Sequence, residues 1–96
     1  MANRQRIFQL LKERGVPIHL NGFEDLLEGI ALGMDSPNML RSMLTKYLYP
    51  EIAKRFDTTW LRVERCLRTA IAQSAAPEHT PGSFIKDAVF TLKMEE

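Results

Sequence analysis

The 96-residue chain is 45% hydrophobic and 26% charged with a formal net charge of +1, a balance that fits one folded domain over residues 1–96 and excludes wholesale disorder or a fibre. Its apolar runs are only a few residues long, so no segment spans a bilayer, and its basic start leads into an amphipathic stretch broken by Lys12, Glu13 and Arg14 rather than into a signal peptide. The single cysteine, Cys66, forms no internal disulfide, and a cytoplasmic, reducing compartment is expected.

A first helix is expected up to Arg14, with Ile7, Leu10 and Leu11 on one face, closed by Gly15 and by Pro17 shortly after. Asn21-Gly22 reads as a turn. A second helix is expected over about residues 23–33, with Phe23, Leu26, Leu27, Ile30 and Ala31 on one face. Ser36-Pro37 is read as the opening of a third helix, Ser as N-cap and Pro at the first helical position, with Met39, Leu40, Met43, Leu44 and Leu48 as its apolar stripe.

Tyr49-Pro50 begins a short helix running to Phe56, Asp57-Thr58-Thr59 turns the chain, and a longer helix covers about residues 60–74, with Thr58 or Thr59 as N-cap. Short helix, tight turn and longer helix make a helix-turn-helix over about residues 50–74. After a loop over residues 75–82, a last helix is expected over about residues 83–93, with Phe84, Ile85, Ala88, Val89 and Leu92 inward. The expected fold is all-α, a six-helix bundle-like domain with no sheet.

The near-neutral charge conceals an asymmetry. From Arg41 to Arg68 seven basic residues face three acidic ones, a net +4, while the remainder, with six basic and nine acidic residues, carries −3. A face for a polyanion on an otherwise neutral domain has this distribution. Projected at helical spacing, Trp60, Val63, Leu67, Ala70, Ile71 and Ser74 form one stripe that packs on the body, with Cys66 at its edge. Leu61, Arg62, Glu64, Arg65, Arg68, Thr69, Ala72 and Gln73 lie on the other side.

The N-terminal half of a recognition helix enters the major groove, where an arginine fork matches guanine O6 and N7 and a glutamate accepts from cytosine N4. The other reading of Glu64 is an ion pair with Arg68 one turn on. Lys54 and Arg55 on the preceding helix, and Lys46 and Arg41 upstream of it, suit phosphate contacts, which position a domain without reading sequence.

The run Thr45-Lys46-Tyr47-Leu48-Tyr49-Pro50-Glu51-Ile52-Ala53-Lys54-Arg55-Phe56-Asp57-Thr58-Thr59, followed by Arg62-Val63-Glu64-Arg65 and Arg68-Thr69-Ala70-Ile71, resembles the C-terminal effector domain of the stage zero sporulation protein A family, response regulators of entry into sporulation. Gly15-Val16-Pro17-Ile18-His19-Leu20-Asn21-Gly22-Phe23 resembles the family's Gly-Val-Pro segment and following turn, and the resemblance covers roughly residues 7–73.

The resemblance implies a six-helix all-α fold with a variant helix-turn-helix. It further implies binding of double-stranded DNA at a short TGTCGAA-type box, with weakly paired copies side by side on tandem sites. A full-length regulator or RNA polymerase would be further partners, and no cofactor or metal is implied. Carried over by position, Arg62, Glu64 and Arg65 are base readers, Arg68 contacts phosphate or a base edge, and Lys46 and Lys54 lie near the DNA backbone. Thr69 occupies a backbone-facing position where the family has histidine. Leu61 stands where the family commonly has a small polar residue, and the link from Gln73 to Phe84 is shorter than the family's. The family's regulators carry a receiver domain ahead of this one. A chain beginning at Met1 leaves no room for it, so an excised domain or a stand-alone protein is expected.

Two function classes are left by these residues. One is a sequence-specific DNA-binding transcription regulator. The alternative is a protein-interaction or antagonist module on the same fold that has lost specific DNA binding, which Leu61 and the low net charge favour. An enzyme is not expected: the sequence has no metal-ligand cluster, Gly-rich phosphate loop or paired carboxylates, and Cys66 has no base beside it in sequence. His19, just after Pro17, reads as a structural histidine.

Overall fold

Helix α1 (Arg4–Glu13) starts where the Asn3 side chain accepts the Arg6 N–H at 3.2 Å. It stops where Gly15 takes φ 76°, so that the Val16 and Gly15 N–H groups donate back to Leu11 and Lys12 carbonyls, each at 3.0 Å. That is the Schellman closure that the Gly15 signal predicts. The structure is a computed structural model describing residues 3–40 and 44–96.

Helix α2 (Asn21–Asp35) is the axis of the fold: Phe23, Leu26, Ile30, Ala31 and Leu32 are buried, and α1, α3, α4 and α5 all pack against it. The expected turn at Asn21-Gly22 is instead the first turn of α2, capped at Leu20 without a side-chain bond. Glycine is required there by a close approach, not by a turn. A Cβ at Gly22 would fall on the Cys66 carbonyl oxygen and lie 2.6 Å from the Ala70 Cβ.

Ser36 closes α2, its N–H donating to the Leu32 carbonyl, rather than opening a long third helix. Pro37–Leu40 is a single 3-10 turn, and Leu44–Leu48 is a π-helical turn that runs directly into α3 (Tyr49–Arg55). The wide turn falls just ahead of Pro50, which has no N–H for an i−4 carbonyl and whose ring would crowd a normal α turn. Arg41 and Met43, which the sequence reading assigned to phosphate contact and to the apolar stripe, lie outside the described residues.

Helix α4 spans Trp60–Ala72 and α5 spans Pro81–Met94, two residues earlier than expected because Thr80 and Ser83 form a reciprocal capping box with Pro81 at the first position. Among the described residues there are five α-helices, the 3-10 turn and the π-helical turn, and all regular structure is helical. Ile7, Leu11, Leu26, Ile30, Ile52, Leu67, Ile71, Phe84 and Ile85 are each 1% exposed or less, and they join all five helices in one core. The Ala75 N–H donates to the Arg14 carbonyl at 2.8 Å, tying the chain after α4 to the end of α1. Among the described residues no helix is long and apolar enough to cross a membrane.

Candidate nucleic-acid interface

The connection between α3 and α4 is itself a Schellman closure. Thr58 donates to the Ala53 carbonyl at 2.9 Å, and Asp57 adopts φ 52° in the left-handed position. An aspartate accepts that conformation more readily than a branched residue would. Thr59, in extended backbone, then caps α4 by accepting the Arg62 N–H at 3.3 Å. Of the two threonines left open by the sequence, the structure uses the second.

These two devices fix the direction of α4. Its inner face buries Val63, Leu67, Ala70 and Ile71, with Ser74 buried just past its end. The expected inward stripe is reproduced except at Trp60, the first residue of the helix, which is 40% exposed. On the outer face Leu61, Arg62, Arg65, Arg68 and Thr69 are exposed and Glu64 is half-buried. Arg68 Nε lies 3.5 Å from Glu64 Oε1, so in the free protein the glutamate is held within its own helix. Three guanidinium groups thus leave one helix face, with a single carboxylate among them.

The remaining cations divide. Lys54 on α3 and Lys46 on the π-helical turn are exposed. Arg55 Nη1 instead meets Glu28 Oε1 at 2.5 Å, while Arg4 clasps both oxygens of the same carboxylate at 2.7 Å. Glu28, only 7% exposed, therefore joins α1 and α3 across α2. Hydrogen bonding from Arg4, reinforced by the charges of both arginines, holds the Glu28 carboxyl below the usual glutamate range. Sequence reasoning missed this clamp: a glutamate in α2 carries no local sign of partners 24 and 27 residues away.

Beside the start of α4 a cleft of about 350 Å³ is lined by Glu24, Asp25, Phe56, Asp57, Arg62 and Cys66, among others. Burial pushes the Cys66 thiol above its ordinary value, and the charge of Asp25 adds to this against the pull of Arg62 and Arg65. That is the opposite of what a nucleophilic cysteine needs. Among the described residues no group of three or more His, Cys, Asp and Glu side chains is arranged to hold a metal.

Asp25 is 6% exposed, and its carboxyl is pushed up to about 6 by burial, with Glu24 adding repulsion. The folded protein then keeps this proton to higher pH than the unfolded chain, whose aspartate releases it near 3.8. Stability contributed at this site falls as pH rises through that window, and the full penalty stands above it. Glu28 acts in the opposite sense, stabilising above its unfolded pKa and losing that contribution as pH falls through its lowered folded value.

Replacing Asp25 by asparagine should therefore raise the melting temperature at pH 7.5 by roughly 4–8 °C, or about 1 kcal/mol, since water in the open cleft moderates the penalty. The gain should shrink as pH is lowered towards 4. Thermal melts of both proteins across pH check this, and an equal difference at every pH would contradict it.

Compared with known proteins, residues 7–92 match the family model described as sporulation initiation factor Spo0A, C terminal. The match spans both the arginine-bearing helix and the capped turn ahead of it.

Proposed function

The chain belongs to the sporulation initiation factor Spo0A C-terminal family, and on that footing we propose that it is a sequence-specific, double-stranded DNA-binding transcription regulator. In this reading α3 and α4 form a variant helix-turn-helix within a single domain, with α4 in the major groove. Arg62, Glu64 and Arg65 read bases of a short TGTCGAA-type box. Lys46, Lys54, Arg55, Arg68 and Thr69 contact the backbone, with Arg55 steadied from behind by Glu28. Copies of the domain pair weakly on tandem sites, and a full-length regulator or RNA polymerase is the further partner.

The observation that carries the reading is the outer face of α4, where Arg62, Arg65 and Arg68 are all exposed on a helix whose first turn is capped at Thr59, while the inner face is buried. Bidentate base contacts worth about 1–3 kcal/mol each would give a preference for the box of roughly a hundredfold or more over scrambled duplex. Four phosphate-facing cations would make the logarithm of affinity fall with the logarithm of salt at a slope of about −4.

Competition between box and scrambled duplexes, repeated over a salt series, tests both statements. Equal affinity for the two duplexes would overturn specific readout. Binding that ignores salt would turn the reading towards the protein-interaction module.

A further inference from the structure

We propose that Leu61 is a specificity residue that contacts the 5-methyl group of a thymine in the bound site. This rests on α4 being the groove-facing helix. Leu61 is the second residue of α4 and is 59% exposed. It has no part in the core, which on this helix is supplied by Val63, Leu67, Ala70 and Ile71.

Residues four and seven positions on along the same helix are Arg65 and Arg68, so Leu61, Arg65 and Arg68 make one outward ridge. Leu61 also precedes Arg62, whose N–H is bound by the Thr59 cap, so the backbone that aims the leucine is fixed before DNA arrives. A leucine has nothing to offer a phosphate or a hydrogen-bonding base edge. On the floor of the major groove the one apolar feature is the thymine methyl, and apolar side chains read T by that contact. An apolar tip at the N-terminal end of a ridge of arginines thus suits a site in which an A·T pair flanks guanines.

The chemistry permits a test that removes the methyl group alone. A duplex that the wild-type protein prefers is obtained by selection from random sequence, and each thymine is replaced in turn by deoxyuridine. At one position the replacement should weaken wild-type binding roughly fourfold, the worth of one buried methyl. Leu61→Ala should bind the thymine and deoxyuridine duplexes equally, at about the weaker wild-type affinity. Alanine is a better helix former than leucine at this exposed site, so the variant folds, and a matching circular dichroism melt verifies it.

Wild-type indifference to every thymine replacement would overturn the proposal. So would a Leu61→Ala variant that still loses fourfold at the same position. If selection yields no preferred duplex, the reading of α4 as a base reader falls first, and this inference falls with it. That result is distinct from a preferred duplex whose thymine methyls prove silent.

Discussion

Gly22→Ala should lower stability by about 3 kcal/mol and the melting temperature by roughly 15 °C, the upper range for overpacking in a domain of this size. The added carbon has nowhere to go. It would land on the Cys66 carbonyl oxygen and press on the Ala70 Cβ, both parts of α4 that cannot turn aside by changing rotamer. The two helices would have to separate, which opens the α2–α4 contact from the middle of α4 towards its C-terminal end.

Gly29→Ala provides the contrast. Its Cβ would meet the tips of Ile52 and Ile85 at 3.2 and 3.3 Å, flexible ends that give way by a few tenths of an ångström. Its loss should be clearly smaller. Thermal melts of the two variants side by side measure the difference, and a Gly22→Ala protein that melts within a few degrees of wild type would refute the close approach.

Arg65→Ala should cut the preference for the box over scrambled DNA by roughly tenfold or more while leaving salt-sensitive binding. Among the described residues Arg65 is joined to no carboxylate, whereas Arg68 is joined to Glu64, so in the proposed complex the Arg65 fork would reach DNA without first breaking an internal pair. Losing one bidentate contact costs about 1–3 kcal/mol on the preferred duplex, and almost nothing on a sequence that never made it. The phosphate-facing cations remain, so the salt slope should hardly change. Arg68→Ala should behave differently in this proposal, weakening both duplexes alike and reducing the slope by about one. Binding curves for both variants on both duplexes separate the roles, and an Arg65→Ala protein with undiminished preference would remove Arg65 from the base readers.

The parts of the fold legible in the sequence were those governed by local chemistry. Gly15 closes α1 and Val63, Leu67, Ala70 and Ile71 face inward because capping and helical period act within a few residues. The outer arginine face followed from the same period. What the sequence concealed depends on distant partners. Gly22 looked like a turn because its constraint comes from Cys66 and Ala70 on another helix. Glu28 carries no local sign of its role because Arg4 and Arg55 reach it from two other elements. The expected third helix misread Ser36-Pro37, whose signals suit the end of α2 and a 3-10 turn as well as a new start. The family resemblance supplied base-reading roles that helical projection alone could not, since projection says only which side chains face out.

The Glu28 clamp has a bearing on local opening. Helix ends ordinarily fray singly, at little free-energy expense, while the interior stays closed. Here the first residue of α1 and the last of α3 hold the same carboxylate. When the α1 terminus loosens, Glu28 loses the partner that clasps both its oxygens, and Arg55 is left as its counter-charge at the foot of the turn into α4. Loosening at the start of the chain thereby changes the charge balance around Arg55, the last residue of the helix that precedes the arginine face.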